Sequence, residues 1–300
     1  MKKIIGLSCG RKNGNCETFL KAALMGAAEL GVESEIIRAM DLKVLPCDAC
    51  DACFRTGKCV KNDDVDWVLE KTMTGDDAVI VSAPVYHIRT SGYLLGISEK
   101  MNHFFKNLPD SYRNKMGAAI SVGGTGYDGW SSLGLPTIQL FLQQFCTPVD
   151  QVQINHCSDV GAALTPDQEW AIEKCRQIGR NVAKAMNMPP EEVRYVGEDT
   201  AVACPVCHCN ILYVDEDLPK VSCPMCQVHG TINYADGRYK IDWNMKDADN
   251  PRFSKANRRY HDDWIMRQKA KEGEQIATPE TQEKIRYYKG WGNYIRPGDR

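Results

Sequence analysis

The chain has 300 residues, a net charge of −2, 43% hydrophobic residues and 25% charged residues. That length suits one large domain or two, and a balance so close to neutral offers no bulk attraction to nucleic acid or to an anionic membrane. No run approaches the roughly 18 apolar residues of a spanning helix, and the apolar stretch behind the first lysines is only about five residues, short of a signal core, so a cytoplasmic protein is expected.

The chain opens with a buried strand at 3–8 (KIIGLS), a polar loop, and an apolar-periodic helix at about 17–30. A second strand at 33–37 runs into a cysteine-rich loop, and Asp63-Asp64 starts a further helix. Strands follow at 77–82, 116–122 and 148–154, with helices at 91–105 and 130–145 between them. Thr165-Pro166-Asp167-Gln168 reads as a capping box with Pro at the first helical position, opening a helix to about 186. Five strands alternating with helices predict an α/β fold, a doubly wound parallel sheet covered on both faces. Right-handed crossovers gather the strand-to-helix loops at one edge, where such sheets bind ligands. Met188-Pro189-Pro190 closes this pattern, and the domain boundary is placed there: 1–190, then 191–300.

The chemistry concentrates in those loops. Cys47, Cys50, Cys53 and Cys59 form C-x2-C-x2-C-x5-C behind the second strand. A compact run of this kind suits a [4Fe–4S] cluster, whereas structural zinc usually takes two separated pairs; zinc, or thiols that pair or stay empty, are the alternatives. Fourteen cysteines, many of them in metal-type clusters, point to a reducing compartment and metal binding more than to disulfides. The first loop, Cys9-Gly10-Arg11-Lys12-Asn13-Gly14-Asn15-Cys16, combines glycines, two cations and a helix N-terminus, which suits a phosphate. It lacks the Gly-Lys-Ser/Thr ending of a Walker loop. Pro84-Val85-Tyr86-His87-Ile88 presents an aromatic ring, backbone amides and an imidazole for a flat heteroaromatic ligand, with His87 a candidate proton donor. The loop Gly123-Gly124-Thr125-Gly126-Tyr127-Asp128-Gly129 contains G-x-G-x-x-G. A dinucleotide fingerprint is rejected there, because the loop follows the fourth strand and no acidic residue closes the next one. Its small residues instead let backbone approach a planar ligand.

Residues 1–190 resemble the NADPH-dependent FMN reductase branch of the flavodoxin-like superfamily, and most closely the iron–sulfur flavoproteins. The likeness rests on Cys9–Glu17, the cysteine run ending in Asp63-Asp64, Pro84-Val85-Tyr86 with Ser91-Gly92, and Val122-Gly123-Gly124. It implies FMN, with phosphate on Cys9 to Cys16 and the ring between Pro84–Ile88 and Gly123, Gly124, Thr125 and Tyr127. It also implies a homodimer or homotetramer in which cluster and flavin exchange electrons. Cys9 and Cys16 stand where Ser and Thr are usual, and a thiol is the weaker donor, so weaker FMN affinity is expected.

The C-terminal third carries Cys204, Cys207, Cys223 and Cys226 as C-x2-C-x15-C-x2-C, the pattern of an M(Cys)4 site in a small metal-stabilised ribbon. It resembles a zinc ribbon or, less closely, a rubredoxin, with zinc favoured over iron. His208 and Gln227 replace the glycine that commonly follows each knuckle, and His208, Cys209 and His229 are nearby alternative ligands. The aromatic, charged tail at 251–300 is expected to be irregular or helical and to cover core or subunit; single-stranded nucleic acid is the weaker reading.

Two functions fit. The first is an FMN-dependent oxidoreductase passing electrons from NAD(P)H or a ferredoxin-like donor through FMN and a [4Fe–4S] cluster to an acceptor. In it, Asp48 and Asp51 would make the cluster harder to reduce. The second is a non-catalytic electron-transfer or redox-sensing module that docks partner proteins through its ribbon.

Overall fold

The computed structural model describes residues 3–75, 78–105, 114–126, 129–216 and 219–291. Residues Met1–Pro251 form one compact unit and Arg252–Arg300 a second. In the first unit, strands β1 (Ile4–Ser8), β2 (Ser34–Arg38), β3 (Ala78–Tyr86), β5 (Lys115–Val122) and β6 (Cys146–Ile154) build the expected parallel sheet in the order β2-β1-β3-β5-β6. With the two-residue β4 (Arg89–Thr90) set aside, this is the doubly wound flavodoxin-like order. Pairing runs in register from Ile4 beside Ser34 on one side and Ala78 on the other, with one irregularity at Gly117/Ala118 opposite β6.

These strands read as continuous apolar runs because both faces are covered. One core holds Ile4, Ile80, Ile120 and Ile154 against α1 (Asn15–Ala28) and α7 (Glu169–Ala185); the other holds Leu7, Val79, Val81 and Ala119 against α3 (Val65–Met73), α4 (Gly92–Ser98) and α6 (Gly134–Leu142). Burial of these side chains is the main favourable term for the fold. Helices α1 and α7 meet through two glycines. A methyl group at Gly26 would collide with the Arg176 carbonyl, and one at Gly179 with that of Ala23.

Three expectations are corrected. The capping box does not form: residues Pro166–Gln168 make a separate 3-10 turn, Thr165 donates its hydroxyl to the Ala162 carbonyl at 2.8 Å, and Gln168 reaches Asn155. Turned toward that preceding carbonyl, the Thr165 side chain accepts no amide from the turn ahead of it. Second, Pro84-Val85-Tyr86 is strand, since β3 continues into a hairpin with β4 around a His87-Ile88 turn. Both turn residues have positive φ, 49° and 74°, the backbone of a tight two-residue hairpin loop normally made by Asn-Gly. Third, the helix expected at 91–105 breaks into α4 and α5 (Asn102–Phe105), and the short helix α2 (Ala52–Thr56) within the cysteine loop was not foreseen.

Beyond α7, an antiparallel sheet of β7 (Tyr213–Val214), β8 (Lys220–Ser222), β9 (His229–Ala235) and β10 (Arg238–Trp243) forms the ribbon, followed by α8 (Met245–Asp249). It docks on the α/β lobe: Val196 N–H donates to Val149 O at 2.9 Å, and the Gln151 amide donates to His208 O at 2.7 Å. The second unit contains two helices, α9 (Lys255–Ile276) and α10 (Pro279–Lys289), capped by Ser254 and Thr278. Neither has a buried residue, and both leave large side chains exposed, among them Tyr260, Trp264, Tyr287 and Tyr288. Among the described residues, no helix is long and apolar enough to cross a membrane.

Candidate functional site

A cavity of about 420 Å³ opens at the C-terminal edge of the parallel sheet. Its lining comes from four strand ends: Arg11, Gly14, Asn15 and Cys16 after β1; Pro84 to Tyr86 at the end of β3; Gly124 after β5; and Cys157-Ser158 after β6. Gly14, the residue before α1, brings no side chain to cap that helix, so amides of its first turn remain available to an anion. Arg11 stands exposed at the loop.

Each candidate residue can now be placed. Arg11, Gly14, Asn15, Cys16, Pro84, Val85, Tyr86 and Gly124 share the cavity. Lys12 and Asn13 are exposed on the loop's outer side, where Asn13 adopts φ 54° and its amide donates to Glu17 at 3.2 Å. Cys9 lies in the core behind, its amide bonded to Ser82 O and its carbonyl to the Ser91 hydroxyl. Its thiol is pushed up by burial and the neighbouring Cys16. His87 and Ile88 occupy the exposed hairpin tip, Gly123 is buried and Thr125 half-buried. Tyr127 lies outside the described residues.

Asn15 works differently from a phosphate donor. Its side-chain amide donates to Cys157 O at 3.0 Å and Asp159 O at 2.7 Å, while its oxygen accepts from the Ala163 amide. It thereby ties the loop after β1 to the loop after β6 and gives the cavity its fourth wall. Cys157 and Ser158 were missed by the sequence reading, although their place behind the fifth strand was a usable signal. Burial raises the Cys157 thiol to about 11 and the Cys16 thiol to about 12, so both present neutral S–H groups that do not repel an anion. On the far side of the loop, Arg38 bonds the Glu17 carboxylate and holds it at about 2.

A second cavity, about 170 Å³, is lined by all of Cys47, Cys50, Cys53 and Cys59 together with Lys61 and Lys100. Cys47 and Cys50 are exposed. The loop turns through two non-glycine residues with positive φ, Ala49 at 53° and Asp51 at 58°. Amides of Ala49 and Lys61 point at the sulfurs of Cys47 and Cys59, at 3.4 and 3.5 Å. The acidic pair closes the loop: Asp63 accepts from Leu45 N at 2.8 Å and from the buried Lys100 ammonium, and Asp64 accepts from Lys43 N at 2.7 Å. Asp48 is paired with Lys61 at 2.6 Å. The negative field expected from it is therefore offset by an adjacent cation.

The third site is closed. Cys204, Cys207, Cys223 and Cys226 are all buried, with sulfurs within 4.8 Å of one another. A single ion with M–S bonds of about 2.3 Å in tetrahedral array needs sulfurs roughly 3.8 Å apart, and Cys207 and Cys223 stand 3.6 Å apart. Among the described residues, no three of Cys47, Cys50, Cys53 and Cys59 gather so tightly, which leaves room for a core larger than one ion. Both knuckles form without glycine, His208 and Gln227 taking φ 57° and 58°. His208 stacks on Tyr195 at 3.6 Å and bonds Asp199, and His229 bonds Asp247. Neither imidazole is aimed at the ion site.

The profile of the NADPH-dependent FMN reductase family matches residues 2–158, just over half of the chain. The chain is similar to an iron-sulfur flavoprotein of Methanosarcina thermophila, 38% identical over 128 residues, 42% of this chain and 66% of that protein. A second iron-sulfur flavoprotein, from Methanocaldococcus jannaschii, is 35% identical over 42% of this chain and 65% of its own length. The matched stretch thus spans just under two thirds of each relative. A solved flavone reductase shares the fold at a TM-score of 0.78, covering 98% of this chain and 99% of that one at 22% identity.

Proposed function

The chain belongs to the NADPH-dependent FMN reductase family, and from that premise we propose an FMN-dependent oxidoreductase that takes electrons from NAD(P)H or a ferredoxin-like donor. One observation carries the reading: four strand ends converge on one cavity at the sheet edge, with uncapped helix amides at one end and Pro84 to Tyr86 at the other. FMN fits that combination, its phosphate toward α1 and Arg11, its ring toward Pro84–Tyr86 and Gly124. The bound flavin supplies two-electron uptake and one-electron release. The protein's part is positional. Asn15 holds the loops together, the neutral Cys16 and Cys157 thiols leave the phosphate unopposed, and the α1 amides meet its charge.

The names of the similar archaeal proteins and the four-cysteine cavity support a [4Fe–4S] cluster on Cys47, Cys50, Cys53 and Cys59. Amide donors to the sulfurs and the Lys61–Asp48 pair would set its potential. Cys204, Cys207, Cys223 and Cys226 would hold zinc, with iron the less favoured ion. Exposed apolar side chains at Tyr86, Ile88, Trp130 and Leu133 support assembly as a homodimer or homotetramer.

Anaerobically purified protein tests this directly. One FMN should be released on denaturation, iron and sulfide should be equimolar, and NAD(P)H should bleach the flavin and drive turnover of an acceptor dye. A protein releasing no flavin would overturn the reading. The exposure of Cys47 and Cys50 favours a second reading, an electron-transfer module served by a protein partner. Bleaching only in the presence of a reduced ferredoxin would select it.

A further inference from the structure

Gln143, the residue that closes α6, belongs to the α/β lobe yet reaches the ribbon's cysteine site. It is 1% exposed, and Cys226 is 0% exposed. The Cys226 thiol donates to Gln143 Oε1 at 3.0 Å, while Gln143 Nε2 is buried with no partner among the described residues. The two ends of an amide have nearly the same shape, so their assignment follows from the partner each faces. Oxygen toward sulfur suits a protonated thiol. A metal ligand, however, is a thiolate without a proton, and an oxygen facing it would oppose lone pairs to negative charge.

We propose that, in the metal-loaded protein, the Gln143 amide is reversed and Nε2–H donates to the Cys226 thiolate, making Gln143 a positioning residue for the ribbon's ion. The proposal rests on the reading of Cys204, Cys207, Cys223 and Cys226 as a metal site. Reversal gives a charge-assisted bond. It also exchanges a buried unpaired NH2, with two donors, for a carbonyl oxygen, the group more often left under-satisfied in native interiors. Within the site, the Cys226 amide donates to the Cys223 sulfur at 3.4 Å. Metal loading and docking of the ribbon on α6 are then coupled through one hydrogen bond, because the α/β lobe supplies a group that recognises the loaded state.

The test uses the full chain. Wild type, Gln143→Met (similar shape, no donor) and Gln143→Glu are loaded with zinc in competition with a chromophoric chelator, and with cobalt(II) to record the thiolate-to-metal charge-transfer band. Gln143→Met should lose about tenfold in zinc affinity, the low end for removing a partner behind a ligand. Its cobalt band should shift, which a purely structural role would not cause. Gln143→Glu should bind more weakly still, since a carboxylate would face the thiolate. In the cadmium-loaded, nitrogen-labelled wild type, scalar coupling between the metal and the Gln143 amide protons should appear. Unchanged affinity and band in Gln143→Met, or couplings from backbone amides with none from Gln143, would overturn the role. Failure of the wild type to take any metal would instead sink the underlying site, a distinguishable result.

Discussion

Two groups of four cysteines sit in one compact unit, and their surroundings differ at every level. The run Cys47 to Cys59 lies in a single loop, with two of its thiols exposed around a 170 Å³ cavity. The set Cys204 to Cys226 comes from two knuckles, is wholly buried, and draws its sulfurs within 4.8 Å. Both require left-handed backbone at non-glycine residues: Ala49 and Asp51 in the first, His208 and Gln227 in the second. What separates them is the source of stability. The first is a loop on a scaffold that already has two apolar cores, clasped by Asp63 and Asp64. The second has a small cluster made largely of the cysteines themselves, so its ligands and its core are the same residues. A closed set of four cysteines has the form of a structural ion site, while the open one faces the outside.

Breaking the closed site should have the largest effect. Structural zinc contributes about 10–16 kcal/mol of apparent binding free energy to small metal modules, and Cys223→Ser removes one of four ligands. Proteolysis should then cut the chain beyond about residue 200 while flavin absorption persists; a protease-resistant ribbon in that variant would mean that the small core suffices alone.

Next comes the clasp of the open site. Asp63→Asn leaves the Lys100 ammonium buried without its partner, a loss of about 3–5 kcal/mol, measurable by urea unfolding. Acid should imitate it. Burial alone would raise the Asp63 carboxyl, but hydrogen bonds from Lys100 and the Leu45 amide outweigh that and hold it below its ordinary value. The stabilisation is therefore complete above the ordinary carboxylate range near pH 4 and lost as pH falls through it toward the lower folded value. Hydrogen exchange of residues 43–65 should accelerate over that interval in wild type and show no such step in Asp63→Asn.

Cys53→Ser should separate the sites most cleanly. Bound iron and sulfide disappear, yet the unfolding free energy measured in urea changes by less than about 1 kcal/mol, no more than an average point substitution costs. A global collapse would put the open site in the structural class of the closed one. The smallest effect is a gain. Gln227→Gly places glycine where φ is 58° on an exposed knuckle, and relief of left-handed strain less the unfolded-chain entropy should stabilise the ribbon by about 0.5–1 kcal/mol. A lower thermal midpoint would show that the Gln227 side chain contributes more than its backbone costs.

Much of this was readable before the structure, and for identifiable reasons. The strand runs Ile4–Ser8 and Ala78–Tyr86 are apolar without alternation, which only a sheet covered on both sides explains. The cysteine spacings survive folding because ligands close in sequence stay close in space. What the sequence left open lay where a polar side chain had a choice of partners. Thr165 took a carbonyl behind it, Asn15 took the loop after β6, and Asp48 took Lys61. Each is a contact whose competitor was equally good on paper.

By itself, the sequence determined the alternation of strands and helices, the edge of the sheet where the loops collect, and the grouping of each set of four cysteines. These are set by local periodicity and spacing, which the chain carries wherever it goes. Tertiary structure alone decided which distant residues meet. It brought Cys157 and Ser158 into the first cavity, Lys100 beneath the cysteine loop, Gly26 and Gly179 to the crossing of α1 and α7, and Gln143 against Cys226. Such meetings depend on how two cores close against each other, and no spacing within a segment encodes the side chain that arrives from another.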